Sequence, residues 1–293
     1  MSNEGNLQDA YRYCDLIARQ RARNFYPAFR FLPKSRRLAL STLYAFCSLS
    51  DDIADDESDL SVEQRKSRLA DWESALNRCL DGKADSPLFL ALMDSMEQFE
   101  LPSEPFFELL DGIKMDLQPR RYCTFEELKV YCRKVASSIG LVSVRIFGCR
   151  GNRADEYADS MGIAFQLTNI MRDIAEDLRR DRVYLPLEDL EAFSYSEEDL
   201  KNRIYDRRFL DLMKSQYSRA LKYYHYADPR LAGDQSKKLL PAEVMKSVYR
   251  RTLEEIKRRK FQVYDGRISI PGWRKISGIA LTLIRRSMPS RTS

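Results

Sequence analysis

Apolar positions along this chain recur every three to four residues. Leu7, Tyr11, Cys14 and Ile17 or Ala18 set the interval near the start, which puts them on one face of a helix. No stretch sustains period-two alternation enriched in β-branched residues, so no strands are predicted. Ser61-x-x-Gln64 and Thr124-x-x-Glu127 have the form of capping boxes ahead of apolar-periodic runs and mark helix starts. Between Pro119 and Pro186 there is no proline. That leaves room for two long helices, roughly 124–148 and 153–178, broken near Gly148-Cys149-Arg150-Gly151. Other prolines cluster at joints: Pro27, Pro33, Pro87, Pro102, Pro105, Pro229, Pro241 and Pro271. The pattern predicts about ten helices with short connections, no Gly/Ser-rich linker and no short repeat. The expectation is an all-α fold, a single domain over residues 1–293 with a core over about 7–287.

Composition narrows the function classes. At 44% hydrophobic and 32% charged residues the chain is globular rather than disordered. Met1-Ser2-Asn3-Glu4-Gly5 has neither a basic n-region nor an apolar h-region, and no apolar run approaches the ~20 residues of a membrane span. A cytoplasmic location is the expectation. The six cysteines contain no Cys-x-x-Cys pair and read as buried thiols rather than a disulfide or zinc framework. The one histidine, His225, sits in a tyrosine-rich run with no candidate nucleophile nearby in sequence, which argues against Ser-His-Asp or Cys-His chemistry.

Charge is unevenly spread. From Lys246 onward there are thirteen Lys or Arg against three acids, although the chain's net charge is +5. A basic end suits nucleic acid, anionic lipid or diphosphate. No basic-aromatic interleaving supports nucleic acid, and none is expected as a partner. Lys257-Arg258-Arg259-Lys260 reads as a solvated helix face. The apolar run Ile276–Ile284, flanked by Arg274-Lys275 and Arg285-Arg286, reads either as a last bundle helix or as a peripheral contact with an anionic membrane surface.

Two acidic stretches carry the candidate chemistry. Asp51-Asp52-Ile53-Ala54-Asp55-Asp56 and Asp173-Ile174-Ala175-Glu176-Asp177 each hold Asp at i and i+4, one turn apart on one helical face. Such pairs also occur on solvated faces, but each of these follows an apolar run, Leu43–Cys47 and Ile163–Leu167. Like charges gathered at the ends of core segments are costly unless neutralised. Two facing pairs would make a cage of hard oxygens suited to Mg²⁺, which takes one or two carboxylates plus substrate phosphates. There is no Gly-x-Gly-x-x-Gly and no Gly-x-x-x-x-Gly-Lys-Ser/Thr, so phosphate would be held by metal and side chains.

Four blocks, in order, resemble the squalene and phytoene synthase family, the head-to-head prenyltransferases. They are Arg23–Phe29 with Leu32-Pro33; Tyr44–Cys47 through Asp51–Asp55; Tyr131-Cys132 with Val135–Gly140; and Gln166–Asp177 with Arg182–Pro186. The resemblance implies the isoprenoid synthase helix bundle with a central cavity. It also implies a reaction in which one allylic diphosphate ionises and its cation is captured by the C2–C3 double bond of another. By resemblance, Asp51, Asp55, Asp173 and Asp177 face the metal, with Asn169 as a further ligand and Asp52 and Glu176 in support. Mg²⁺ is the expected cofactor, with Mn²⁺ as an alternative. Arg23, Arg172 and Arg267 match diphosphate contacts, and Tyr44 and Tyr249 match positions that bond phosphate or line the cavity. Phe25 and Phe29 would shield the cation through their π faces, although both also fit as plain core residues. Tyr131 matches a tyrosine near the reacting carbons. Gln166 falls within the fourth block, while Val135, Ala136, Ser138 and Gly140 would leave space for isoprenyl tails.

Residues 131–148 look most like bacterial presqualene diphosphate synthases of hopanoid pathways, which join two farnesyl diphosphates, stop at the cyclopropyl diphosphate and need no NADPH. Phytoene synthase, using two geranylgeranyl diphosphates, is the nearest alternative, followed by squalene and dehydrosqualene synthases. A catalytically silent scaffold member is the non-enzyme alternative. One position departs from the family: Ser48 stands three residues before Asp51, where many members carry Arg. Oligomeric state is not legible.

Overall fold

The computed structural model describes residues 3–22, 26–55, 60–228, 235–266 and 268. Among them are thirteen α-helices and no strand: α1 (Asn3–Arg21), α2 (Tyr26–Phe29), α3 (Lys34–Asp55), α4 (Val62–Leu80), α5 (Pro87–Phe99), α6 (Glu104–Met115), α7 (Phe125–Cys132), α8 (Ser138–Ile146), α9 (Asn152–Arg179), α10 (Leu187–Ala192), α11 (Glu197–Lys201), α12 (Arg207–Tyr226) and α13 (Leu240–Arg258). The number exceeds the expected ten because α2, α10 and α11 span only four to six residues, too short for a periodic signal.

Helix α9 is the axis of the bundle. Tyr157, Ala158, Met161, Ile163, Ala164, Leu167, Ile170, Met171 and Ile174 are all buried, on more than one face, as expected of a helix enclosed by neighbours. It packs against α7, α8, α12 and α13. On the other side α3 packs against α1, α4, α5, α6 and α8. Its Phe46 meets Phe106 edge-on at 5.3 Å and Phe89 at 6.3 Å, contacts that add about 0.5–1.5 kcal/mol each beyond area burial.

The expected helix over 124–148 is continuous but not uniform. Between α7 and α8 it widens into a π-helical turn, Arg133–Ser137. Glycines on two neighbouring helices make room for it. A Cβ at Gly162 of α9 would lie 2.5 Å from both the Cα and N of Ser137, and one at Gly112 of α6 would lie 2.5 Å from Val135 Cγ1. The extra residue of a π turn re-aims the side chains beyond it, which is why such turns cluster at functional sites. Tyr131, just before the turn, and Val135, within it, line the same cavity.

The predicted break between the long helices is present. Gly148 and Gly151 have φ of 85° and 90°, a region that costs glycine little. Arg36 donates to the Phe147 carbonyl at 2.7 Å and Lys238 to that of Gly148 at 3.0 Å. The Ser61 capping box is complete, with reciprocal bonds of 2.8 and 3.2 Å to Gln64. At Thr124 it is half-formed: the Glu127 amide donates to Thr124, but the Glu127 carboxylate accepts from the Cys123 amide at 2.8 Å instead.

Four cysteines are buried and Cys47 is half-buried, but Cys123 is exposed, unlike the expected buried thiol, because it lies in the loop ahead of α7. His225 is exposed on α12. Of the basic run, Arg258 and Arg259 pair with the buried Glu255. Among the described residues no helix is long and apolar enough to cross a membrane. The run Ile276–Ile284, Pro229 and Pro271 lie outside the described residues.

Candidate active site

The two acidic pairs ride on the C-terminal ends of α3 and α9. That is the end of a helix where carboxylates are disfavoured by the macrodipole, so their placement is not a stabilising one. Together they line one chamber of about 400 Å³ with Asp116, Glu176, Arg172, Arg180 and Arg182. Tyr131, Tyr184, Val135, Gln166 and Asn169 complete much of its wall.

The four aspartates are not equivalent. Asp55 is held by two arginines, with Arg182 donating to Oδ1 at 2.8 Å and Arg180 to Oδ2 at 3.0 Å. Asp173 is paired with the buried Arg172, whose Nε donates to Oδ1 at 2.8 Å. Asp51 is exposed to the chamber yet enclosed by the surrounding helices. That enclosure, then Asp55, Asp116 and Asp52, pushes its pKa up to about 7. Asp177 is pushed up to about 8, by burial first and then by Asp173. Two carboxylates whose ionisation is opposed by burial and by neighbouring negative charge are poised to take a cation.

A second, apolar chamber of about 240 Å³ opens from the first, sharing Asp51, Val135, Gln166 and Asn169 with it. It follows one face of α8, Ile139, Gly140, Ser143 and Val144, to Phe147, a run of about 12 Å at the helical rise. Tyr44, Met161, Phe165, Met245 and Tyr249 close its other sides. The Phe165 and Tyr249 rings stack at 4.3 Å. The Tyr249 hydroxyl hydrogen-bonds with Asn169 and Arg172, joining the apolar wall to the polar one.

Most expected residues meet here. Tyr131, Val135, Gln166, Asn169 and Arg172 face the polar chamber, and Tyr44, Gly140 and Tyr249 the apolar one. Others fall elsewhere. Phe29 is wholly buried behind Tyr44, with ring centroids 5.2 Å apart, and lines neither chamber. Ser138 is also buried away from both chambers, donating to the Lys134 carbonyl. Gly140 lines the wall, but its missing side chain mainly admits α9, since a Cβ there would sit 3.0 Å from the Ala158 carbonyl oxygen. Asp52 turns away from the chamber and pairs with Arg21, while Glu176 faces into it. Arg23, Phe25 and Arg267 lie outside the described residues.

At the departure, Arg21 of α1 donates to Ser48 Oγ at 3.0 Å, so a guanidinium from another helix stands beside the position. Sequence reasoning gave no role to Asp116, Arg180, Arg182 or Tyr184. Tyr131 and Tyr184 donate their hydroxyls to the two oxygens of Asp116, at 2.6 and 2.8 Å. The signal for the arginines was available in Arg179-Arg180-Asp181-Arg182, directly after the second acidic pair. Asp116 follows α6 with no motif around it, and only the fold brings it to the site.

The donor set fits a hard divalent cation. Besides the carboxylates, the buried Asn169 Oδ1 accepts no hydrogen bond, an orphaned oxygen that a metal or its water would satisfy. Among the described residues no three Asp, Glu, His or Cys side chains converge tightly enough to hold an ion alone.

Comparison with known proteins places the chain in a family. The chain is 35% identical to the phytoene synthase of Arthrospira platensis, covering 97% of this chain and 96% of that one. It is 34% identical to the phytoene synthase of Mycobacterium tuberculosis over 94% and 91% of the two chains. Its structure is similar to a dehydrosqualene synthase, with a TM-score of 0.85 at 26% identity over 96% and 97% of the chains. It is also similar to the squalene synthase HpnC of Alicyclobacillus acidocaldarius, with a TM-score of 0.76 at 29% identity over 87% and 95%. The model of the squalene/phytoene synthase family, whose members are prenyltransferases, matches residues 18–274, and the chain belongs to that family.

Proposed function

We propose that this protein joins two farnesyl diphosphates head to head, releasing pyrophosphate and stopping at presqualene diphosphate. The observation that carries the reading is the pair of connected chambers, one lined with carboxylates and arginines and one apolar, meeting at Asp51, Val135, Gln166 and Asn169. A prenyl diphosphate has that same division, with the reacting carbon at the junction.

Asp51, Asp55, Asp173, Asp177 and Asn169 would hold Mg²⁺, or Mn²⁺ in its place, together with the diphosphate. When bound, the ion supplies Lewis-acid neutralisation of the leaving group. Arg172, buried beside Asp173, adds fixed positive charge where the leaving group gains negative charge. Arg23 and Arg267 are proposed as further diphosphate contacts, and Phe25 as an aromatic shield for the cation. Phe165 and Tyr249, stacked on each other, wall the apolar chamber, and Val135 and Gly140 shape the path of the tail. Tyr131, whose hydroxyl borders the polar chamber, is proposed to assist loss of the proton that closes the ring.

Support for the shorter substrate comes from residues 131–148 and from the short apolar run along α8. The named activities of the two structural relatives, dehydrosqualene synthase and squalene synthase, point the same way. A second reading, condensation of two geranylgeranyl diphosphates to phytoene, is favoured by the curated relatives at 34–35% identity. Purified protein incubated with each diphosphate and Mg²⁺, without NADPH, separates the two by mass spectrometry. The expected product is a C30 cyclopropyl diphosphate, unchanged when NADPH is added. A C40 hydrocarbon from geranylgeranyl diphosphate alone would replace the first reading with the second.

A further inference from the structure

We propose that Asp116 is a positioning residue that turns the oxygens of two tyrosines, Tyr131 and Tyr184, toward the reacting carbons. The inference rests on the prenyl-transfer reading. Asp116 ends α6 and its side chain enters the polar chamber. Its Oδ2 accepts from Tyr131 at 2.6 Å and its Oδ1 from Tyr184 at 2.8 Å, so both oxygens are engaged. Each phenol has one proton to donate. With both protons pointed at one carboxylate, each phenol oxygen keeps a lone pair for the chamber, where the cation forms, and the two oxygens sit 3.4 Å apart.

The surrounding contacts hold this arrangement still. The Tyr131 and Tyr184 rings stack at 5.1 Å with their planes 24° apart, and Tyr122 packs against both. Arg182 donates to the Asp116 carbonyl at 3.1 Å while its other amino group donates to Asp55. One guanidinium therefore ties the acid that orients the tyrosines to the acidic wall that would bind diphosphate. Both Asp116 oxygens accept a hydroxyl, which fixes the direction of the two phenol protons.

The chemistry needs this polarity. After the C–O bond of one substrate breaks and its cation is captured, a proton leaves the former cationic carbon. The electron pair of that C–H bond closes the three-membered ring, and the proton ends on the released pyrophosphate. Oxygen lone pairs facing that carbon stabilise the charge and can pass the proton on, whereas an O–H turned toward it would oppose both.

Asp116→Asn tests the proposal, because an amide accepts from one hydroxyl but donates to the other and reverses one tyrosine. The expected result is a kcat lowered on the order of 10–100-fold with KM nearly unchanged. In a background with both Tyr131→Phe and Tyr184→Phe the same change should cost less than about twofold, since the three residues act as a unit. A kcat within about twofold of wild type, or an equal loss in both backgrounds, would overturn it. A second measurement needs no substrate: 3-fluorotyrosine at 131 or at 184, read by fluorine NMR, should shift at both positions on Asp116→Asn. A shift at one position or neither would refute the shared acceptor. Shifts at both without wild-type turnover of either diphosphate would locate the failure in the prenyl-transfer reading and overturn the catalytic half of the proposal.

Discussion

Gly162 of α9 approaches Ser137 so closely that a Cβ on the glycine would lie 2.5 Å from the serine Cα and N. Both contacts are with backbone, so no rotamer change relieves them. Gly162→Ala is expected to push the π turn away from α9 and destabilise the protein by about 1–3 kcal/mol, the usual cost of overpacking a close-packed site. Because the turn carries Val135 on the wall shared by the two chambers, activity should fall with it. Gly140→Ala, at 3.0 Å from the Ala158 carbonyl, should cost less. Urea denaturation of both variants checks the order, and an unchanged midpoint for Gly162→Ala would contradict it.

The pH dependence of the metal-free protein has a definite sign. Asp51 and Asp177 rise from an ordinary value of 3.8 to about 7 and about 8 on folding, so the native state binds more protons than the unfolded chain between those values. Stability is therefore fully present below about pH 4 as far as these groups are concerned, and falls as pH rises through 7 and 8. Mg²⁺ with pyrophosphate should reverse the trend, raising Tm more at pH 8 than at pH 6 because binding displaces fewer protons there. Thermal unfolding in EDTA and in Mg²⁺ with pyrophosphate at the two pH values provides the check. An equal Tm gain at both would contradict it.

Arg182 joins Asp55 to the Asp116 carbonyl. Arg182→Gln removes a charged donor from both and is expected to cost about 1–3 kcal/mol of stability. Its effects on ligands should oppose each other. Mg²⁺ alone should bind more tightly, since a cation has left the acidic wall, while Mg²⁺ with pyrophosphate should bind more weakly. Calorimetric titration of each, with both affinities moving the same way, would be the contrary result.

The long helices and their break were legible because α9 and the α7–α8 rod lack proline and are separated by Gly148 and Gly151. The π turn was not, because its cause lies on other helices: Gly112 and Gly162 are ordinary glycines until Val135 and Ser137 are set beside them. In the site, Asp51, Asp55, Asp173 and Asp177 were readable from i, i+4 spacing. Asp116 carried no local pattern, and its role depends on tyrosines fifteen and sixty-eight positions away. Phe29 shows the converse. Its place in a motif suggested the cavity wall, yet Tyr44 stands between it and the chamber.

The central claim is that the walls from α3 and α9 hold metal and diphosphate jointly, neither alone sufficing. Calorimetric titration of pyrophosphate into wild type, Asp51→Asn and Asp177→Asn, each in Mg²⁺ and in EDTA, addresses it most directly. Wild type should bind pyrophosphate only with Mg²⁺, and either substitution should weaken that binding on the order of tenfold or more, since each removes a direct ligand. Pyrophosphate binding that is equally tight in EDTA, or that survives loss of either aspartate, would contradict it.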